Sequence, residues 1–207
     1  MTYISDEYRF IFIEIEKTAT TSIDHNLLWS NSIKNINDEH YSERHKTASY
    51  IKSLLKDDWF NYTSFTVVRN PWQRYVSWLV WMEKILETKT KEDRVWVIFN
   101  KLFDDNNYSY KDILKTIINK TGRTQSEFVC DGTDIIVNEL LRFENLQHDY
   151  NRLCSKLHIE KSGLKQLNTS KPYDYRDFYN QELIDLVYEK ERRLINYAGY
   201  HYDETTQ

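Results

Sequence analysis

Short apolar runs alternate with amphipathic stretches along this 207-residue chain. The run 10–15 (FIFIEI) is too short for a helix and rich in Phe and Ile, which predicts a strand buried on both faces of a parallel sheet. A polar loop from Lys17 to Ser22 follows at once. From Thr21 the apolar positions Ile23, Leu27 and Leu28 recur at helical spacing, so the opening unit reads strand, Lys-Thr loop, helix. A second buried strand is predicted at 65–68 (FTVV). It runs into Arg69-Asn70-Pro71, where Asn caps a helix and Pro takes its first position. The helix beyond is amphipathic through Val76, Leu79, Val80 and Ile85. Further helices fit 95–103, 110–118, 149–157 and 181–198, the last with Leu183, Ile184, Val187 and Leu194 on one packing face. Residues 128–130 and 135–143 read as strands around an Asp131-Gly132 turn. This alternation predicts a three-layer α/β fold with a central, mainly parallel β-sheet flanked by helices. The polar stretch 87–94 reads as an exposed loop. No repeat or Pro/Gly-rich linker divides the sequence, and residues 1–207 are expected to form a single domain.

Charge narrows the range of partners. With 28 Lys and Arg against 32 Asp and Glu, the net charge of −4 argues against general nucleic-acid binding and leaves room only for a local cationic pocket. No apolar run approaches the ~20 residues of a membrane helix, so no membrane span is expected. The start MTYISDEYRF lacks the basic and apolar regions of a signal peptide, and Cys130 and Cys154 are the only cysteines. A reducing, cytoplasmic location follows, with both cysteines serving as packing residues.

Candidate chemistry concentrates at the two strand ends. Lys17-Thr18-Ala19-Thr20-Thr21-Ser22 would read as a solvated turn in isolation. Between a buried strand and a helix N-terminus, however, free N–H groups and the helix dipole attract phosphate, and Lys17 adds positive charge. The string is not a Walker A motif, because Lys17 comes first and no glycine is near. In the second constellation Arg69 ends a strand and Ser77 lies on the next helix, together suited to a second phosphate. The alternative is an Arg69–carboxylate pair with Ser77 facing solvent.

These two stretches, FIEIEKTATTSI and FTVVRNPWQRYVSWL, resemble the 5′-phosphosulfate loop and the 3′-phosphate motif of sulfotransferases that use 3′-phosphoadenosine 5′-phosphosulfate (PAPS). The chain is most similar to the carbohydrate branch and its compact bacterial relatives, and the similarity extends through HKTASYIK, LLRFENLQHDYNRLC and LNTSKPYDYRDFYNQELIDLVYEK. The resemblance implies a P-loop-like fold and transfer of a sulfuryl group from PAPS to an acceptor hydroxyl, by preference on a carbohydrate, with no metal. It implies that Lys17, Thr18, Ala19, Thr20, Thr21 and Ser22 embrace the 5′-phosphosulfate while Arg69 and Ser77 hold the 3′-phosphate. Lys17 would also offset charge on the sulfonate and leaving phosphate.

His45 is the chosen base, since an imidazole accepts a proton near neutral pH and the resemblance puts a His or Glu after the second strand. Glu43, Glu14 and His25 are the alternatives. Metal binding is disfavoured because no compact His/Cys/Asp spacing appears.

Two departures from the family pattern stand out. Ala19 occupies the first glycine position of the loop, so a positive φ there would introduce strain of order 1 kcal/mol or more. Glu14 and Glu16 replace His and Pro, placing two carboxylates on the same side of a strand beside the anion site. Lys46 and Lys52 are read as the wet face of a helix, Arg142 and Glu144 as a strand-end pair, and Trp72 as a ring near the pocket mouth. Asn168-Thr169-Ser170-Lys171 is either a closing loop or an ordinary connection. Two rival functions remain: a nucleotide or small-molecule kinase, and a non-catalytic nucleotide- or glycan-binding module.

Overall fold

The computed structural model describes residues 2–27, 33–35, 45–88, 109–120, 123–160, 163–165 and 173–203. The expected helix at 95–103, the loop at 168–171 and Glu43 lie outside them, as does most of the expected 87–94 loop. The described contacts divide the chain into two interleaved compact units, one from Met1–Arg69 and Arg123–Asn168, the other from Asn70–Gly122 and Thr169–Thr205.

The first unit carries the sheet. Its strands are β1 (Tyr3–Ser5), β2 (Phe10–Ile13), β3 (Ile33–Asn35), β4 (Thr63–Val68) and β7 (Glu139–Arg142), in the order β3-β1-β2-β4-β7. The pairs β2–β4 and β4–β7 are parallel, while β1 runs antiparallel to both its neighbours. Only β1 therefore opposes the common direction, and the sheet is mainly parallel as expected. Phe10, Ile11, Phe12 and Ile13 are all fully buried, which makes β2 a strand covered on both faces.

One sheet face carries Phe10, Phe12, Phe65, Val67 and Leu141, packed on Ile23 and Leu27 of α1 (Thr20–Leu27) and on Tyr150, Leu153, Cys154 and Leu157 of a later helix, Leu146–Leu157. Phe65 organises this layer, stacking on Phe12 at 4.9 Å and meeting Phe10 edge-on at 5.5 Å. Cys154 packs in the same cluster, and Cys130 is likewise a free, buried thiol.

Several element boundaries differ from expectation. Residues Gln125–Val129 form a short helix, not a strand, because Thr124 and Glu127 make a reciprocal capping box. Only Cys130–Asp131 (β5) and Asp134–Ile135 (β6) pair across the turn, as a separate two-stranded ribbon. The rest of the expected 135–143 strand shortens to β7, since the Asn138 side chain accepts from the Ser64 N–H and breaks the run before it. Asp149 does not begin a helix; its carboxylate accepts from the Arg142 N–H, within a helix that starts at Leu146.

The second unit is helical in its described part. It contains α3 (Pro71–Thr88), α4 (Tyr110–Lys120) and the long Gln181–Ala198 helix, which matches its expected span, and α3 packs against both of the others. Asn70 caps α3, accepting from the N–H groups of Trp72 and Gln73. Residues 71–77 are buried all round, not on one face, and include Arg74 at 1% exposure. That guanidinium lies 3.4 Å from the carboxylate of Glu191, itself 0% exposed on the Gln181–Ala198 helix beside the expected Leu183, Val187 and Leu194. Among the described residues no helix is long and apolar enough to cross a membrane.

Candidate functional site

The loop after β2 is built by two residues with left-handed backbone, Lys17 at φ 67° and Ala19 at φ 65°. The Thr18 hydroxyl is buried and donates to the Ile15 carbonyl at 2.8 Å, fixing the coil between them. The Ala19 carbonyl then accepts from the N–H groups of Ser22 and Ile23 at 3.0 and 3.3 Å, which starts α1. The Thr20 and Thr21 N–H groups belong to the opening turn, where no helical carbonyl lies upstream to receive them. Thr20 and Ser22 are buried and Thr21 is exposed. The condition set for strain at Ala19, a positive φ, is thus met.

Parallel pairing of β2 with β4 brings a second strand end alongside. Thr66 donates to the Ile13 carbonyl at 2.6 Å, and the chain leaves β4 at Arg69. The Arg69 guanidinium reaches the Lys17 carbonyl at 3.3 Å and stacks 4.1 Å from the Phe143 ring centroid. Gln125, fully buried, grips the Arg69 backbone from both sides, accepting from its N–H and donating to its carbonyl, each at 2.9 Å. Phe143 follows β7, so three neighbouring parallel strands deliver the Lys17 loop, Arg69 and the Arg142–Glu144 segment at one edge. Arg142 and Glu144 lie 4.0 Å apart, the strand-end pair expected of them.

His45 joins the same region from the segment before α2 (Ala48–Leu55). Its Nδ1 lies 3.2 Å from the Glu14 carboxylate and its Nε2 3.9 Å from that of Glu16. The Arg123 guanidinium donates to the His45 carbonyl at 3.2 Å. Glu14 and Glu16 lie past the end of β2, in its exit loop, so strand alternation does not govern them; they face an imidazole instead. His25 is exposed in the last turn of α1, at the end opposite the Lys17 loop.

Other expectations are corrected by burial. Lys46 is not on the wet face of a helix: it precedes the Thr47 cap, is 5% exposed, and sets its ammonium 5.0 Å from the Tyr50 ring centroid. Lys52 does lie on α2 and pairs with Asp131 at 3.0 Å. Trp72 is a packing anchor, 3% exposed, donating its indole N–H to the Ile184 carbonyl at 3.1 Å. Ser77, on α3 in the second unit, is buried, contrary to the solvent-facing alternative.

Sequence reading missed Gln125, Phe143 and Arg123 as supports of the site. Only the capping signature Thr124-x-x-Glu127 hinted that Gln125 opens a helix. Among the described residues no group of His, Cys, Asp and Glu is arranged to hold a metal ion. A cleft of about 650 Å³ lies in the second unit, lined by Glu83, Ser109, Tyr110, Lys111, Asp177 and Phe178, none of them a sequence-predicted site residue.

A family model described as the sulfotransferase family matches residues 1–183. No curated protein and no solved structure matches the chain.

Proposed function

Because the chain belongs to the sulfotransferase family, we propose that it moves a sulfuryl group from PAPS to an acceptor hydroxyl, on a carbohydrate, in the cytosol. The observation that carries this reading is the Arg69 guanidinium resting 3.3 Å from the Lys17 carbonyl, at the shared edge of two parallel strands. A helix opening, a lysine and an arginine at that edge suit a ligand with two separated phosphate groups.

In this reading the backbone from Lys17 to Ser22, with the Thr20, Thr21 and Ser22 hydroxyls, holds the 5′-phosphosulfate. The Thr18 hydroxyl, committed to the Ile15 carbonyl, shapes the loop while its N–H faces the ligand. Arg69 holds the 3′-phosphate. Ser77 is assigned to the same phosphate by its place in the motif alone. PAPS supplies a sulfuryl group already bonded to a leaving phosphate. Lys17 offsets the charge that grows on that phosphate, and His45 takes the acceptor proton as oxygen attacks sulfur in line.

Calorimetric titration with adenosine 3′,5′-bisphosphate, beside ATP with Mg²⁺ and AMP, tests the donor. Selective binding of the bisphosphate is expected. Arg69→Ala should weaken it about 10- to 100-fold while leaving AMP nearly unchanged, since a charge-assisted bond to one phosphate is lost. Preference for ATP with Mg²⁺, or equal losses for both nucleotides, would overturn the assignment. The positive φ at Ala19 favours one second reading, a module that binds the donor without turnover, which bisphosphate binding with no transfer to any sugar would reveal.

A further inference from the structure

Asn70 opens α3 with an amide that faces two ways. Its oxygen accepts from the N–H groups of Trp72 and Gln73 at 3.1 and 3.3 Å, while its nitrogen donates to the His201 carbonyl at 3.0 Å. The residue is 0% exposed. His201 lies 131 positions further on, in the stretch that follows the Gln181–Ala198 helix. The family match covers residues 1–183 and stops short of that stretch.

Gly199, at φ 66°, ends the helix, and its N–H and that of Tyr200 both return to the Ile195 carbonyl. The Tyr202 ring then meets Trp72, Tyr175 and Tyr179 edge-on, each at 5.7 Å, and the Tyr202 carbonyl accepts from the Tyr175 hydroxyl. Trp72 is fixed at both ends. Its carbonyl accepts from the Tyr179 hydroxyl at 2.9 Å, and its indole donates to the Ile184 carbonyl at 3.1 Å. The first turn of α3 is thus held by Tyr179, Ile184, His201 and Tyr202, all within the second unit.

We propose that residues 200–203 form a strap, anchored by Tyr202, that positions the 3′-phosphate motif: by clamping Asn70 and Trp72 it fixes the backbone to which Arg69 is bonded and the helix that carries Ser77. The proposal rests on the PAPS reading, since it concerns the phosphate that sets PAPS apart from a plain 5′-nucleotide. Pro71 has no N–H, and Trp72, Gln73 and Arg74 all donate to Asn70, the last to its carbonyl at 2.9 Å. A phosphate at this end of α3 is therefore held by side chains, whose aim depends on how firmly the cap is seated. Freedom removed by the strap before binding is freedom the ligand does not have to remove. The 5′-group is assigned to the Lys17 loop, which is built from first-unit residues.

An affinity ratio tests the strap. Wild type, Tyr202→Ala, Tyr202→Phe and Asn70→Ser, each as the full chain, are titrated calorimetrically with adenosine 3′,5′-bisphosphate and with AMP. Tyr202→Ala should weaken the bisphosphate about 3- to 30-fold and leave AMP within about twofold. Tyr202→Phe keeps the ring contacts and loses only the hydroxyl's 3.4 Å reach to the Arg176 carbonyl, so it should keep the wild-type ratio. Asn70→Ser retains a capping oxygen but loses the amide donor to His201, and should fall with Tyr202→Ala. A purely structural defect would weaken both nucleotides alike. Such parallel losses, or an unchanged ratio in Tyr202→Ala or Asn70→Ser, would overturn the strap.

A second measurement needs no variant. Coupling between two sites is reciprocal, so a 3′-phosphate that depends on the strap must in turn hold the strap closed. Amide hydrogen exchange in wild-type peptides covering residues 199–203 should slow more with saturating bisphosphate than with saturating AMP. Equal exchange would overturn the proposal even where Tyr202→Ala fails to fold. A wild type that binds neither nucleotide, or both equally, would sink the donor reading and the strap's role with it. Selective binding whose ratio the variants leave unmoved would sink the strap alone.

Discussion

At the residue scale the most consequential position is Ala19. An L-residue in the left-handed region costs roughly 1–2 kcal/mol, whereas glycine pays about 0.5–1 kcal/mol more in unfolded-chain entropy. These oppose each other, and the strain is the larger. Ala19→Gly should therefore stabilise the protein by up to about 1 kcal/mol and tighten adenosine 3′,5′-bisphosphate. Ala19→Val, adding a branched Cβ at φ 65°, should destabilise it. Denaturant midpoints and calorimetry check both, and a clear loss of stability in Ala19→Gly would show that the loop is relaxed as it stands. The positive φ was legible because the sequence places a Cβ where a loop of this shape takes glycine. The partner of Glu14 was not: His45 lies 31 positions on, and only tertiary folding brings an imidazole to that carboxylate. Lys46 misled for a related reason, since polarity predicts exposure only where no ring and cap enclose the stem.

Among the elements, the Gln125–Val129 helix does more than connect. Its first residue spends its whole amide on the Arg69 backbone, extending the β4 hydrogen-bonding by one residue past the strand's end. Gln125→Ala would remove both bonds to the part-buried Arg69 backbone, at about 1–3 kcal/mol of stability, and would loosen the arginine that they aim. The expected signature is a lower denaturation midpoint together with weaker bisphosphate binding. A variant of normal stability and affinity would show that water replaces the amide at no cost. Long periodic elements, such as Gln181–Ala198, were legible because several turns of apolar spacing outweigh local noise. Tyr3–Ser5, three residues that form a strand only by pairing with β2 and β3, carry no periodicity of their own. The Gln125–Val129 helix was misread because its apolar Phe128 and Val129 suit a strand equally well, and the capping box decides between them.

For the molecule as a whole, composition and alternation pointed to an α/β chain without revealing that it forms two units. No linker marks the division, because it falls between Arg69 and Asn70, inside a single motif. Each unit consequently depends on two distant stretches of chain. The second unit gathers its terminal stretch around phenols: Tyr175 donates to the Tyr202 carbonyl, Tyr179 to the Trp72 carbonyl at 2.9 Å, and the Tyr202 ring meets Trp72, Tyr175 and Tyr179 edge-on, each at 5.7 Å. Burial pushes the Tyr175 phenol up to about 12 and Tyr179 well above its ordinary value of 10, with Tyr202 raised as well.

The folded state therefore keeps phenolic protons that the unfolded chain releases from about pH 10. Below that pH both states are protonated and the stabilisation is complete. Above it the unfolded state binds fewer protons, so stability falls with rising pH, through the Tyr175 value near 12. The urea midpoint should accordingly stay level from about pH 8 to 9.5 and decline beyond pH 10. Tyr175→Phe should make that decline shallower, because one of the retained protons is gone, while lowering stability at neutral pH by about 1 kcal/mol for the lost hydrogen bond. An identical alkaline slope in the variant would mean that the buried phenols of the second unit do not hold the chain's alkaline stability.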